Sequence, residues 1–257
     1  MTIRPRKRGR INILVLLVSA VTWMMLLVDP VSITTLAHCP VRSSGASLVS
    51  FQMLREMTPI SSMMAGWGLM LASMMSPTLI TPFRHILNRS FKRRRARSVA
   101  LFVAAYAAIW MAAGGVLIAV MLMLNLLAPQ SYLPAAGVAI VAFVWQCSPI
   151  KQRCLNRGHN HSELAAFGIA ADLDALRFGI THGVWCVGSC WLLMLLPMLL
   201  LQGHFAAMAV VTFVMTSERL EKPRPLSWRL RFPGKLMRIV AAQTRIRLQS
   251  SVSRELF

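Results

Sequence analysis

The chain alternates between long apolar runs and short basic segments. A helix needs about 20 mostly apolar residues to cross a lipid bilayer, and six stretches reach or approach that length. They are residues 11–28, 59–82, 99–127, 133–147, 183–201 and 205–217. Only 14% of the 257 residues are charged, whereas soluble domains carry roughly 25%. The pattern excludes an ordinary soluble domain and predicts an all-α, polytopic transmembrane helix bundle. We expect about six spans, with five also compatible because the fourth and sixth are short.

The basic residues predict the orientation of this bundle. The chain has 28 Lys and Arg against 8 Asp and Glu, and most lie in the N-terminal segment, the loops after the second and fourth spans, and the C-terminal tail. Lys and Arg collect in cytoplasmic loops, so both termini are predicted to be cytoplasmic in a bacterial-type inner membrane. The same segments would attract anionic lipids. Because the charge is divided among loops and not gathered on one solvated domain, no nucleic-acid partner is predicted.

Three regions follow from this pattern. Residues 1–58 form a first transmembrane anchor and an extracytoplasmic loop, 59–222 a helical membrane core, and 223–257 a basic cytoplasmic tail. The first apolar run is long, and the segment that follows it offers no small-x-small cleavage site. Both features favour an anchor over a cleaved signal peptide. In the tail, Leu236, Ile239 and Val240 share one helical face between basic residues. That face indicates a helix on the inner leaflet, and a solvated basic tail is the alternative.

The fifth span carries a stripe of possible metal ligands. His182, Cys186, Cys190, Met194 and Met198 recur every four residues, and steps of four advance only about 40° around a helix. Thiolate, thioether and imidazole groups select soft or borderline metals such as Cu(I) and Zn. The sequence therefore predicts several soft ligands on one face of this helix.

The second span offers a matching methionine face. It runs in the opposite direction, so its Met residues near position 74 should lie at the depth of the fifth-span cysteines, and two further cysteines should reach the same inner side. The predicted metal ligands are Cys186, Cys190, His182, Met194, Met70, Met74, Met75, Cys154 and Cys147, with copper favoured over zinc as the cofactor. His85 is expected on the same side, and His38, Cys39, Met53 and Met57 on the outer side. Because methionine also fills packing gaps, a packing role stays open.

Catalytic machinery is not evident in the sequence. Acidic residues are almost absent from the spans, which argues against a proton-coupled transporter built on buried carboxylates. No glycine-rich phosphate loop, nucleophile elbow or paired His–Glu zinc motif occurs, and these motifs mark ATP-driven and hydrolytic proteins. We therefore expect a protein that is not an enzyme.

Several segments together resemble a known family. They are WGLMLASMMSP (67–77), Tyr106 with Trp110, QCSPIKQRCL (146–155), HGVWCVGSCWLLM (182–194) and Glu221-Lys222. Over residues 66–222 the chain resembles predicted metal-binding integral membrane proteins catalogued as domain of unknown function 2182. The resemblance implies a multi-span protein that binds a metal, with copper expected. The chain departs from the pattern expected of that family at three places: it has Ser189 and Gly158 where further cysteines are expected, and His204-Phe205 in the region of an expected Met-Asn pair. Each departure removes a candidate ligand.

Three functions remain open from the sequence. The first is a membrane metal-handling protein that binds copper(I) for delivery, uptake or cuproenzyme assembly, with a metal chaperone or cuproenzyme subunit as partner. The second is a structural or assembly subunit without metal. The third is a membrane thiol oxidoreductase, since an i, i+4 cysteine pair has Cα atoms about 6 Å apart, at the edge of disulfide range.

Overall fold

The computed structural model describes residues 5–28, 60–129, 131–160, 163–165, 167–200 and 202–230, together with 234, 237–238 and 241–245. The outer-side candidates His38, Cys39, Met53 and Met57 lie outside these residues, as does the whole of the first predicted loop. Within the described ranges the structure is helical and contains no strand. The predicted all-α class is confirmed for this part of the chain.

Eight α-helices are described. They are α1 (Pro5–Val28), α2 (Ile60–Met75), α3 (Ile80–Arg89), α4 (Arg95–Leu127), α5 (Leu133–Cys147), α6 (Pro149–Gly158), α7 (Gly168–Leu199) and α8 (His204–Leu220). A 3₁₀ turn over Ser76–Leu79 joins α2 to α3. Pro77 lies in this turn, where its ring interrupts the helix.

Four of these segments are long and apolar enough to cross a membrane. They are Ile11–Val28, Ser62–Arg89, Arg95–Leu127 and Gly168–Leu199. Helices α5 and α6 meet at an angle of 66° and would add a fifth if the bent pair forms one broken span. Helix α8, which covers the sixth predicted span, has 17 residues and is not among them. Six spans and cytoplasmic termini therefore stay predictions.

Helix α7 extends far beyond the apolar run that predicted it. It begins at Gly168, so Arg177, assigned to a loop from the sequence, lies inside the helix. In this polar extension, Asp172 pairs with Arg94 at 2.9 Å and with Arg97 at 2.8 Å. These ion pairs with the start of α4 stabilise the polar first turns of α7. Hydropathy alone does not reveal that the helix includes this polar segment.

Helix α7 lies at the centre of the bundle and packs against α4, α5, α6 and α8. Helix α4 packs most extensively on α7 and runs parallel to it. Gly179 of α7 lies against Phe102 of α4, and Gly183 of α7 lies against Ile109 of α4. A Cβ atom at Gly179 would lie 2.6 Å from the Phe102 carbonyl oxygen, and one at Gly183 would lie 3.1 Å from Ile109. The missing side chains of this glycine pair let the two helices approach closely.

Candidate metal centre

A single buried cluster gathers sulfur side chains from four helices. Its members include residues of both predicted faces and further methionines of α4 and α8. They are Met63, Met70, Met74, Met75, Met121, Cys186, Cys190, Met194, Met198, Met208 and Met215. The predicted stripe of α7 and the predicted face of α2 thus point into one core.

The sulfur atoms of α2 and α7 share this core, although these two helices do not pack closely against each other. Helix α2 packs mainly on α1 and α4, while α8 packs on both α2 and α7. Met70, Met74 and Met75 are each no more than 1% exposed. Because the methionine side chain is long and flexible, the thioethers of α2 can reach the core although α2 does not pack directly on α7.

Cys186 lies at the polar centre of the cluster. The Tyr106 hydroxyl of α4 is 3.4 Å from its sulfur, and Cys190 and the Arg219 guanidinium also lie close to this thiol. Ser189 Oγ is 3.3 Å from the Cys190 sulfur. Two buried thiols one helical turn apart therefore lie next to polar side chains within an apolar core.

Arg219 brings a positive charge from α8 to these thiols. Its Nη2 donates to Ser189 Oγ at 3.3 Å. The guanidinium lies over Gly158 of α6, where a Cβ atom would be 2.2 Å from Nη1. Ser189 and Gly158, where the resemblance led us to expect cysteines, thus both contact Arg219. Since an arginine side chain stays protonated in proteins, this part of the site is permanently cationic.

Cys154 is a third thiol near the pair. It is 7% exposed, and its sulfur would be only 2.9 Å from a Cβ atom at Gly188. Gly188 lies between Cys186 and Cys190 on α7, so the absence of a side chain lets the α6 thiol approach that helix. Cys154 therefore adds a thiol at the level of the pair.

A buried ion pair fixes α6 relative to α8 beside this site. Lys151 Nζ lies 2.7 Å from a Glu218 carboxylate oxygen, with the lysine side chain fully buried. Gln146 hydrogen-bonds both of these side chains. Glu218 immediately precedes Arg219, so the pair holds the α8 backbone where the guanidinium can reach Gly158 and Ser189.

Other predicted ligands occupy different surroundings. The His182 ring is buried among the aromatic rings of Phe102, Tyr106 and Phe178, at centroid distances of 5.8–6.0 Å. Cys147 ends α5 and is only partly buried, outside the sulfur cluster. The structure therefore places Cys186, Cys190, Met194 and the three α2 methionines together, with Cys154 adjacent. His85 likewise packs beside Phe178 and not in this cluster.

The donor set fits a metal of low coordination number. Within the described residues, no group of three or more His, Cys, Asp or Glu side chains is placed to hold a metal ion. A structural zinc site normally takes four such ligands in a tetrahedron. Two thiolates supplemented by thioethers suit Cu(I), which accepts soft ligands.

The sequence reasoning missed the contribution of α8. Its inward face carries His204, Met208, Val211, Met215 and Arg219, at helical steps of four, three, four and four. This periodicity was available in the sequence, but the short apolar run concealed that the helix continues to the arginine. The contacts of Arg219 with α6 and α7 depend on tertiary packing and have no local signal.

Comparison with known proteins identifies a family. A family model described as PpoB2, copper chaperone, matches residues 64–241. The chain therefore belongs to this copper chaperone family. No curated protein and no solved structure matches it.

The match bears on three of the expectations. It confirms the copper-related character of the earlier resemblance, but it does not support the name domain of unknown function 2182. A chaperone carries its cargo without converting it, so the family assignment fits a protein that is not an enzyme. Copper chaperones act with cuproenzymes, which agrees with the class of partner expected.

Proposed function

We propose that this protein is an integral membrane copper chaperone that carries copper(I) on the thiolates of Cys186 and Cys190. The observation that carries the proposal is that both thiols are buried one helical turn apart and that the Arg219 guanidinium, which donates to Ser189 Oγ between them, lies close to Cys186. Copper is here the cargo. The thioethers of the cluster offer further ligands for it.

Charge balance supports this assignment. A Cu(I) ion bound by two thiolates carries one net negative charge, and an unpaired charge in a low-dielectric interior is costly. The Arg219 cation cancels that charge. The Tyr106 hydroxyl, 3.4 Å from the Cys186 sulfur, would donate a further hydrogen bond to the anionic sulfur.

The outer surface of the bundle supports a membrane location. Large apolar side chains point outward on several helices, for example Leu14 at 65% exposure, Val116 at 64% and Ile140 at 67%. Contiguous apolar faces of this kind are suited to lipid. We assign the protein to a bacterial-type inner membrane with cytoplasmic termini, and its basic loops to anionic lipid headgroups.

Delivery to a partner would proceed by ligand exchange. Soft ligands on a cuproenzyme subunit or on another metal chaperone would replace the thiolates one at a time, with copper remaining Cu(I). Because no electron is transferred, this function differs from the thiol oxidoreductase considered above. No disulfide joins the cysteines among the described residues.

The test is copper binding by the purified protein. The full chain is prepared in detergent under reducing conditions, loaded with Cu(I), and assayed by elemental analysis and by competition with a chromogenic Cu(I) chelator. We expect the double variant Cys186→Ser, Cys190→Ser to lose the tightest-bound copper. Cys147→Ser, which removes a partly exposed thiol outside the cluster, is the matched control and should bind as the parent does. Unchanged copper affinity in the double variant would refute the proposal and favour the packing role.

A further inference from the structure

His204 begins α8 at the end of the bundle opposite Arg219. The residue is 9% exposed, and its Nδ1 lies 2.7 Å from the carbonyl oxygen of Pro197 on α7. A carbonyl oxygen can only accept a hydrogen bond, so Nδ1 carries the proton. In a neutral imidazole this leaves Nε2 as a bare lone pair.

Nε2 of His204 is buried without a hydrogen-bond partner among the residues that the structure describes. Leaving such an acceptor unsatisfied costs about 1–3 kcal/mol. Metal-binding histidines commonly have one ring nitrogen fixed by a backbone carbonyl and the other free for the metal. His204 has this arrangement without any role in the thiol site.

Buried methionines lie near His204 and its partner Pro197 along the helices. Met208 is one helical turn further along α8 and fully buried, and Met198 follows Pro197 directly. Met121 of α4 is also fully buried, and the parallel register of α4 and α7 places it at about the level of Met198. All three methionines belong to the sulfur cluster.

We propose that His204 Nε2, with the thioethers of Met208 and Met198, forms a second site for a soft monovalent cation, Cu(I). Eleven residues of α7 separate Cys186 from Pro197, which corresponds to about 16 Å along the helix. One ion cannot bridge that distance, so the two sites are separate. Met194 and Met198 continue the stripe between them. The second site rests on the proposed function in that both sites take the same cargo.

The test counts Cu(I) equivalents in the full chain. The parent protein should bind two equivalents, and His204→Asn should bind one. Asparagine is chosen because its side-chain amide nitrogen can replace Nδ1 as the donor to Pro197 while no group replaces Nε2. X-ray absorption should show an imidazole contribution in the parent that is absent from His204→Asn.

A second pair of variants tests the thioether. Met208→Leu removes the sulfur with little change of volume and should weaken the second equivalent at least tenfold. Met123→Leu, at a position 59% exposed on α4, should leave it unchanged. If neither His204→Asn nor Met208→Leu alters the second equivalent, or if only one equivalent binds to the parent, the second site is refuted.

The cysteine variants separate this inference from the proposed function. Cys186→Ser, Cys190→Ser should retain the equivalent that depends on His204, and adding His204→Asn should abolish it. If copper depends on His204 but not on the cysteines, the thiol site fails and the His204 site stands. If copper binding depends on the cysteines alone, the His204 site fails and the thiol site stands.

Discussion

Replacing Arg219 with glutamine should weaken copper(I) binding strongly while leaving the thiols in place. In the structure the guanidinium donates a hydrogen bond to Ser189 Oγ and lies close to the Cys186 sulfur. Arg219→Gln removes the cation that balances a copper dithiolate, while glutamine still offers a polar amide. Arg219→Lys keeps the charge but loses the planar fork, so its effect should be intermediate.

The magnitude follows from the contacts of the guanidinium. Two unit charges about 4 Å apart interact by about 4 kcal/mol at an effective dielectric constant of about 20. Arg219 is partly exposed, so solvent screens part of this energy. A hydrogen bond to a charged group, at about 1.5–3 kcal/mol, is the better guide. Since about 1.4 kcal/mol is a tenfold change, the affinity for Cu(I) should fall roughly 10- to 100-fold.

The assay is chelator competition on the detergent-purified full chain, with thermal unfolding measured in parallel. Arg224→Gln is the matched control, because Arg224 is 56% exposed and pairs with Glu221 outside the site. It should bind copper as the parent does. If Arg219→Gln remains folded and binds Cu(I) with parental affinity, the charge-balance argument is wrong.

Two further predictions concern the scaffold. Gly179→Ala should destabilise the bundle by about 1–3 kcal/mol, because its Cβ atom would clash with the Phe102 carbonyl. Gly115→Ala is the control and should not destabilise it, because a Cβ atom at Gly115 would have no neighbouring atom within 4 Å. Equal thermal unfolding temperatures for the two variants would contradict the close packing of α4 and α7. Lys151→Met should lower the free energy of unfolding by about 3–5 kcal/mol, because it leaves the Glu218 carboxylate buried and without its ion-pair partner. Adding Glu218→Leu should recover most of that loss. If the double variant unfolds at the same low temperature as Lys151→Met, the ion pair is not the cause.

The soft-ligand stripe of α7 and the methionine face of α2 were both predictable from sequence. Helical periodicity fixes which residues share a face, and apolar composition places that face in the core. The positions of Cys147 and His182 were not predictable in the same way. Their surroundings depend on which helix packs beside them, and His182 is buried among aromatic rings.

The sequence by itself determined the helical class, the apolar segments and the inward spacing of Cys186 and Cys190, because these properties are set locally by periodicity and hydropathy. Only the tertiary structure decided which groups surround the thiols. Arg219 reaches Cys186 from a helix more than thirty residues further along the chain, through space left by Gly158. No local pattern encodes such a contact, since it depends on how separate helices pack together.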